Sequence, residues 1–216
     1  KESFFEPSVI GERISGLANG ANIIGKPFAA KYLESSANFG RILTDNNKFL
    51  EEQKTRLSKN HLESALVMPQ PVERLSRLEF SKALLKRKNR KSQKIKKLLW
   101  LGRWESHKDT ELVTKLAQSH PEIAIDVFGP LSQENAVLFP NLLFYPPTLE
   151  IRNINLNQYD AFIFTSKYEG MPNSVLEMAG RAIPIISANV GGLLETFPNG
   201  ELIFYENDSD FDQRFM

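Results

Sequence analysis

The chain has 216 residues, 41% of them hydrophobic and 25% charged, with a formal net charge of +1 and no cysteine. That is the composition of an ordinary globular protein, and it excludes disulfides, thiolate metal centres and cysteine nucleophiles. No run of eighteen apolar residues occurs, so no transmembrane helix is expected. The small net charge hides an asymmetry: residues 82–97 hold nine Lys/Arg and no acid, which leaves the rest at −8 (18 basic against 26 acidic).

Residues 1–22 carry small side chains and glycine without a clear period. Residues 27–38 are predicted helical through Phe28, Tyr32 and Leu33, with Pro27 at the first helical position. A short strand is expected at 40–45. An amphipathic helix follows over 48–59, with Phe49, Leu50 and Leu57 on one side. A second short strand at 65–68 is stopped by Pro69 and Pro71. Residues 75–97 begin with an irregular apolar face (Leu75, Leu78, Phe80, Leu84, Leu85) and then become wholly basic. This segment reads as a solvated linker or the outer face of a helix. A sharper reading is attraction to an anionic membrane surface, where each basic side chain contributes about 1 kcal/mol. Nucleic-acid binding ranks below both, because no aromatic residue interrupts 86–97 to offer a stacking platform.

From Leu98 the pattern is regular. Apolar runs at 98–101, 123–128, 142–145, 161–164, 183–186 and 202–205 alternate with helix-like segments at 109–119, 149–156, 174–180 and 193–196. In the first of these segments Leu112, Val113, Leu116 and Ala117 share a face. Continuous apolar strands between amphipathic helices argue a parallel sheet covered on both faces. The expected fold class is α/β, a doubly wound parallel sheet with its ligand crevice at the carboxyl ends of the strands.

Chemistry concentrates in 169–192, EGMPNSVLEMAGRAIPIISANVGG. Its grammar is turn, helix, strand, directly after the apolar run 161–164. A helix start beyond a parallel strand suits an anionic ligand. Glu169 and Glu177 beside it cannot hold phosphate, but they can accept hydrogen bonds from sugar or ribose hydroxyls. Glu177 has a competing reading, a capping box with Ser174, and Glu169 one as a solvated loop acid. Arg103 and Lys108 follow the strand 98–101. A guanidinium fork with a lysine point charge suits a diphosphate, although either could be a surface charge. His61, His107 and His120 are scattered without metal-like spacing. Asp208-Ser209-Asp210 has the form of a metal-binding Asp-x-Asp, but reads better as acids at a helix start.

Two motifs together carry a family resemblance: Glu169 and Glu177 with a proline between them, then Pro184 and Gly191-Gly192; and upstream the run LLWLGRWESHK at 98–108. Over about residues 42–204 the chain resembles the retaining glycosyltransferases of family 4 (glycosyl transferases group 1), which have the GT-B fold. The resemblance implies a Rossmann-like donor-binding domain at 98–216, a basic connector at 71–97, and at 1–70 the tail of an acceptor-side amino-terminal domain. It implies that the chain is a fragment carrying the donor site of a hexosyltransferase. Arg103 and Lys108 would hold the donor diphosphate and stabilise the charge on the leaving group in place of a metal. Glu169 would touch the donor sugar and Glu177 the ribose hydroxyls. Gly102, Gly170, Met171, Asn173 and Ser174 would complete the donor-binding set, the last three through backbone N–H groups. No metal and no cofactor is implied beyond the nucleotide-diphosphate sugar itself. The implied partners are that donor and a glycan or lipid-linked acceptor; the basic run adds contact with an anionic membrane surface, no nucleic-acid partner is expected, and the expected location is cytoplasmic, on the membrane's cytoplasmic face where it is peripheral. The competing readings are a non-catalytic nucleotide- or sugar-binding module and a basic membrane-surface protein. Two positions depart from the family pattern. Met178 stands where a small residue is common. Ala182 stands where glycine is usual, which costs roughly 1 kcal/mol if that position needs φ > 0, with Gly180 as an alternative helix stop.

Overall fold

The computed structural model describes residues 43–55, 59–68, 70–88, 96–130, 139–148, 150–206 and 210. The predicted helix at 27–38 and the start of the first predicted strand lie outside them. The elements are β1 (Leu43–Thr44), α1 (Asn47–Gln53), α2 (Lys59–Ser64), β2 (Leu66–Val67), α3 (Arg77–Lys88), β3 (Lys97–Leu101), α4 (Thr110–Ser119), β4 (Ala124–Phe128) and β5 (Leu142–Tyr145). They continue with β6 (Ala161–Phe164), α5 (Asn173–Ala179), β7 (Ile185–Ala188), α6 (Leu193–Thr196) and β8 (Ile203–Tyr205). The chain forms two compact units: Lys1–Pro71 with Tyr168–Pro172 and Val190–Asn199, and Val72–Lys167 with Asn173–Asn189 and Gly200–Met216.

In the first unit β1 and β2 pair in parallel, Leu43 opposite Leu66 and Thr44 opposite Val67. Helix α1 starts where the free N–H groups of its first turn find acceptors. Asn46 takes the extended N-cap conformation, and its side chain accepts from Phe49 N at 2.8 Å. Glu195 of α6 adds a carboxylate that accepts from Asn47 N at 2.8 Å and Lys48 N at 3.3 Å. Three orphan donors are thereby satisfied, and a negative charge sits at the positive end of the helix. The single helix expected over 48–59 is two shorter ones. At the end of α1, Lys54 N bonds back to Glu51 O, the tightened i→i−3 bond of a closing turn.

The second unit holds a six-stranded, wholly parallel sheet in the order β5-β4-β3-β6-β7-β8. Counted within this sheet the order is 3-2-1-4-5-6, the dinucleotide-fold arrangement in which the winding reverses between the first and fourth strands. The expected doubly wound α/β fold is thus observed. Leu98, Trp100, Ile125, Val127, Leu142, Ala161, Ile163 and Ile186 point to one face, where Leu112, Val113, Leu116 and Ala117 of α4 close the core. Their spacing of i, i+1, i+4 and i+5 is the stripe that made α4 readable. On the opposite face the Asp126 carboxylate is buried. It accepts from the Tyr159 hydroxyl at 2.7 Å and pairs with Lys97 Nζ at 2.8 Å. Burial, and then the neighbouring Asp126, raise the Tyr159 phenol well above its ordinary value, so its proton stays on the bond to Asp126.

Two local expectations are corrected. Residues 149–156 are not one helix. The described part forms two single 3₁₀ turns, Ile151–Asn153 and Leu156–Gln158, and the Asn155 side chain, accepting from Asn157 N, offers the backbone a local alternative to a helical bond. The strand expected at 183–186 starts two residues later, at Ile185, because Pro184 has no N–H to give the ladder. Helix α3 is opened by a capping box: Ser76 N donates to Glu79 Oε2 at 3.0 Å, and Glu79 N donates to Ser76 Oγ at 3.3 Å. These bonds, with Lys82 nearby, hold the Glu79 carboxyl below its usual value. From α3, Arg87 donates to the carbonyls of Tyr159 and Leu156, both at 2.9 Å.

Candidate functional site

In the sheet-bearing unit the winding reverses between β3 and β6, and in open parallel sheets ligands bind beyond the carboxyl ends of the strands at such a reversal. Gly102, Arg103 and Lys108 all lie on the segment leaving β3. Gly102 has φ 151 and donates its N–H to Phe128 O at 3.0 Å. Across from it, a Cβ on Gly129 would fall 1.7 Å from Gly102 O. Only glycine there allows the ends of β3 and β4 to lie backbone against backbone. Two residues beyond Gly102, Trp104 returns to the core, and only the side chain between them faces solvent. The Arg103 side chain is 64% exposed and pairs with Glu105 at 3.4 Å. Glu105 also meets His107 Nδ1 at 3.2 Å, so one carboxylate faces two potential cations. Exposed pairs of this kind contribute about 0–1 kcal/mol, so a stronger anion can displace the carboxylate.

The segment from β6 holds this loop in place. The Thr165 hydroxyl donates to Lys108 O at 2.5 Å and accepts from the Trp100 indole at 3.0 Å, and Lys167 N donates to His107 O at 2.9 Å. Asp109 sits in the left-handed region, φ 51, which aspartate tolerates better than most residues. Its carboxylate pairs with Lys167 Nζ at 3.4 Å. Glu105 and Thr165 are participants that sequence reasoning missed. Neither belongs to a pattern, and their roles arise from the pairing of β3 with β6.

Asn173, Ser174 and Glu177 lie in the same unit on α5. The helix begins at Asn173, so Ser174 is its second residue and not its cap, and the capping-box reading of Glu177 loses its geometry. Glu177 is half-buried. Burial raises its carboxyl above the ordinary value, Arg181 partly opposes that, and Glu73 adds to it. Arg181 donates to Glu177 O and Glu73 O, and pairs with Glu73 Oε2 at 3.1 Å. The end of α5 answers the question raised by Ala182. Its φ is 58, Ile183 N bonds to Met178 O, and Ala182 N bonds to Ala179 O. This is a Schellman stop with alanine in the place usually taken by glycine. Gly180 lies inside the last turn and does not replace it. Met178 is fully buried.

Glu169, Gly170 and Met171 belong to the other unit. Glu169 and Gly170 are half-buried and Met171 is buried. Met171 N, expected to serve a ligand, donates instead to Asp45 Oδ2 at 3.0 Å. Gly192 N donates to Gly170 O at 3.0 Å, and Gly191, φ 57, could carry no side chain, since a Cβ would lie 1.8 Å from Gly170 O. The Gly191-Gly192 pair thus secures the backbone that bears Glu169.

Among the described residues no group of three or more His, Cys, Asp or Glu is placed to hold a metal. Asp208 and Ser209 lie outside the described residues; Asp210 accepts from Glu206 N at 2.9 Å. No helix of the described residues is long and apolar enough to cross a membrane.

Residues 81–213 match the family described as Glycosyl transferases group 1. The chain is 28% identical over 120 residues to the O-antigen biosynthesis glycosyltransferase WbnH of Escherichia coli, an alignment covering 53% of this chain and 35% of that one. It is 30% identical over 93 residues to the capsular polysaccharide biosynthesis glycosyltransferase CapM of Staphylococcus aureus, covering 39% and 24%. The alignments span about a third or less of these curated relatives. Among solved structures, Anabaena Alr3699/HepE in complex with UDP and glucose superposes with a TM-score of 0.65 at 14% identity, covering 87% of this chain and 56% of that one. The fold is therefore that of GT-B glycosyltransferases.

Proposed function

The chain belongs to the glycosyl transferases group 1 family, and from that premise we propose that it carries the donor site of a retaining, metal-independent enzyme. The substrate is a nucleotide-diphosphate sugar, and the sugar, a hexose, passes to a glycan or lipid-linked acceptor. The observation that carries this reading is the placement of Gly102, Arg103 and Lys108 beyond β3, at the reversal of a wholly parallel sheet. The relatives are named for O-antigen and capsular polysaccharide biosynthesis, and the solved HepE complex holds UDP and glucose. A polysaccharide pathway and a uridine donor follow as the first choices to test.

In this mechanism the leaving diphosphate develops charge as the bond between its oxygen and the sugar's anomeric carbon breaks, the acceptor's hydroxyl oxygen bonds that carbon on the same face, and the hydroxyl proton passes to the leaving diphosphate. Arg103 supplies a planar fork of N–H donors and Lys108 a point charge, both carried by the loop they share. Glu105 holds Arg103 until the diphosphate displaces it. Glu177 accepts from the ribose hydroxyls, and Glu169 from the donor sugar. Asn173 and Ser174 face the donor from the start of α5, and Gly102 and Gly170 let the backbone approach it closely.

Isothermal calorimetry of the chain with UDP, GDP and ADP in EDTA tests the proposal. Binding of at least one diphosphate without metal is expected, and it weakens when Arg103 is replaced by alanine. Binding that appears only on adding Mg²⁺ or Mn²⁺ removes the metal-independent mechanism. Failure of all three nucleotides under both conditions removes the donor site.

A further inference from the structure

Arg181 follows Glu177 by four positions and has no part in the chemistry proposed above. Glutamate and arginine in that order at i and i+4 are a favoured ion pair on a helix surface. Such a pair would cover the carboxylate that a ligand needs. The guanidinium is directed elsewhere. The Arg181 side chain is 9% exposed, and its Nη1 donates to the main-chain oxygens of Glu73 at 2.9 Å and Glu177 at 3.2 Å. Its Nη2 pairs with the Glu73 carboxylate at 3.1 Å. Among the described residues no group donates a hydrogen bond to the half-buried Glu177 carboxylate. Burial therefore holds that carboxyl up, with Arg181 opposing only through space, whereas a direct ion pair would favour the charged form much more.

Glu73 can take the guanidinium because its backbone is fixed beside the turn that ends α5. Leu75 N donates to Gly180 O at 3.1 Å. A Cβ on Gly180 would lie 3.2 Å from Arg74 Cβ and 3.4 Å from Glu73 O, so glycine lets the segment 73–75 lie close against the turn. That segment brings an acid from 108 positions away. The two carbonyls aim the guanidinium, and two carboxylates, Glu73 and Glu177, compete for its remaining N–H groups. The Glu73 side chain is 68% exposed, so its hold on Arg181 is a weak one. Without it, the nearest other carboxylate along the chain is the one a ligand would use.

We propose that Glu73 and Arg181 are positioning residues for nucleotide binding: Glu73 draws the guanidinium to itself and so keeps the Glu177 carboxylate open to the ribose hydroxyls. The proposal rests on the ribose role given to Glu177 above. Neither Glu73 nor Arg181 touches the ligand. With Glu73 removed, the hydroxyls have to displace a fork of N–H donors from Glu177 before they bind.

Calorimetry with uridine and UDP, or with the guanine or adenine pair if the nucleotide panel selects one of those, tests the proposal on E73A, E177Q, R181Q and E73A/R181Q. Charge alone predicts that loss of an acid leaves the neutral nucleoside unchanged and tightens the diphosphate. The proposal predicts the opposite sign: E73A weakens nucleoside binding about fivefold, the upper range for a partly exposed ion pair. E73A/R181Q has no guanidinium left to compete, and is expected to bind the nucleoside as R181Q does. Glu73 is exposed, so E73A is expected to melt as the unsubstituted chain does. A crystal structure of ligand-free E73A is expected to show Arg181 within hydrogen-bond reach of the Glu177 carboxylate. Nucleoside affinity in E73A that is unchanged or higher overturns the proposal, as does the same loss on adding E73A to R181Q. Arg181 remaining away from the Glu177 carboxylate in the E73A structure overturns it too, whatever the ligands do. E177Q separates the two failures. If E177Q binds the nucleoside normally, the ribose role falls and the proposal with it; if E177Q is weakened and E73A is not, the proposal alone falls.

Discussion

Burial raises the Glu177 carboxyl above its ordinary value, whereas a solvated acid at that place would titrate normally. The folded state then binds this proton more tightly than the unfolded chain does. Ionised Glu177 opposes folding above its folded pKa, and the cost disappears as pH falls below the unfolded value of 4.5. Glu177→Gln is therefore expected to melt slightly higher than wild type at neutral pH, with the difference closing towards about pH 4 in a pH series of thermal melts. The same substitution is expected to weaken nucleotide binding about ten- to a hundredfold, the loss of a charge-assisted bond of about 1.5–3 kcal/mol. A gain in stability with a loss of affinity identifies a group kept for its ligand. Arg103→Ala is expected to weaken diphosphate binding comparably and to leave the free nucleoside nearly untouched. Calorimetry with a nucleoside and its diphosphate separates the two residues, and unchanged nucleoside affinity in Glu177→Gln would remove the ribose role. Ala182 gives a different kind of test. Its left-handed backbone costs about 1–2 kcal/mol. Glycine would relieve that strain while losing a buried methyl worth about 0.8 kcal/mol and adding chain freedom worth about 0.5–1. Ala182→Gly is expected to stay within about 1 kcal/mol of wild type in urea unfolding, and Ala182→Val to lose about 2 kcal/mol or more, because a branched Cβ tolerates φ 58 least.

Elements whose pattern was local were legible in the sequence. Strands β5 and β6 have the predicted bounds, because each is a short apolar run closed by polar or proline residues. Helix α4 was found from its stripe of Leu112, Val113, Leu116 and Ala117. What could not be read was whatever depended on a partner distant in the chain. The Asp45 carboxylate takes Met171 N from 126 positions away, and Glu195 caps α1 from 148 positions away. Thr165 looks like the last residue of an apolar run until Trp100 and Lys108 are beside it. The Arg103 and Lys108 motif was visible because both follow one strand; the Glu105 pairing needed the loop's actual turn. The polar cluster between β3, β4 and Tyr159 is another such non-local device. Removing Lys97 leaves Asp126 buried with one hydrogen bond from Tyr159, and breaking a buried pair on one side costs about 3–5 kcal/mol. Lys97 keeps 28% of its surface, so the low end is expected: Lys97→Met loses about 3 kcal/mol in urea unfolding. Adding Asp126→Leu with Tyr159→Phe to that variant is expected to recover most of the loss, since neither an unpaired charge nor an orphaned hydroxyl remains.

At the scale of the whole molecule, the chain passes from one compact unit to the other five times between Lys1 and Met216. Sequence position therefore does not identify which unit supports a residue. Tyr168–Pro172 and Val190–Asn199 fold with Asp45, Asn46 and Asn47, although the segments on either side of them build the sheet. A chain beginning at Val72 is expected to retain the parallel sheet, with native-like circular dichroism. It is also expected to lose the order of the segment bearing Glu169, and with it affinity for a nucleotide sugar beyond that for the bare nucleotide. Equal affinity of the two chains for the sugar-bearing donor would show that residues 43–71 do not support that segment. The same threading limits how members of this family can be recombined. A graft joined at Pro71 transfers more than a donor half: it brings foreign versions of Tyr168–Pro172 and Val190–Asn199 into the recipient's first unit. Such a chimera keeps Gly191 with its own Gly170, because both cross the junction together. It must still find an acceptor at position 45 and leave room beside Asn46 for residue 192, where even a Cβ would fall 2.4 Å from Asn46 Cβ. Compatible parents are those that agree at these few positions, however much they differ elsewhere.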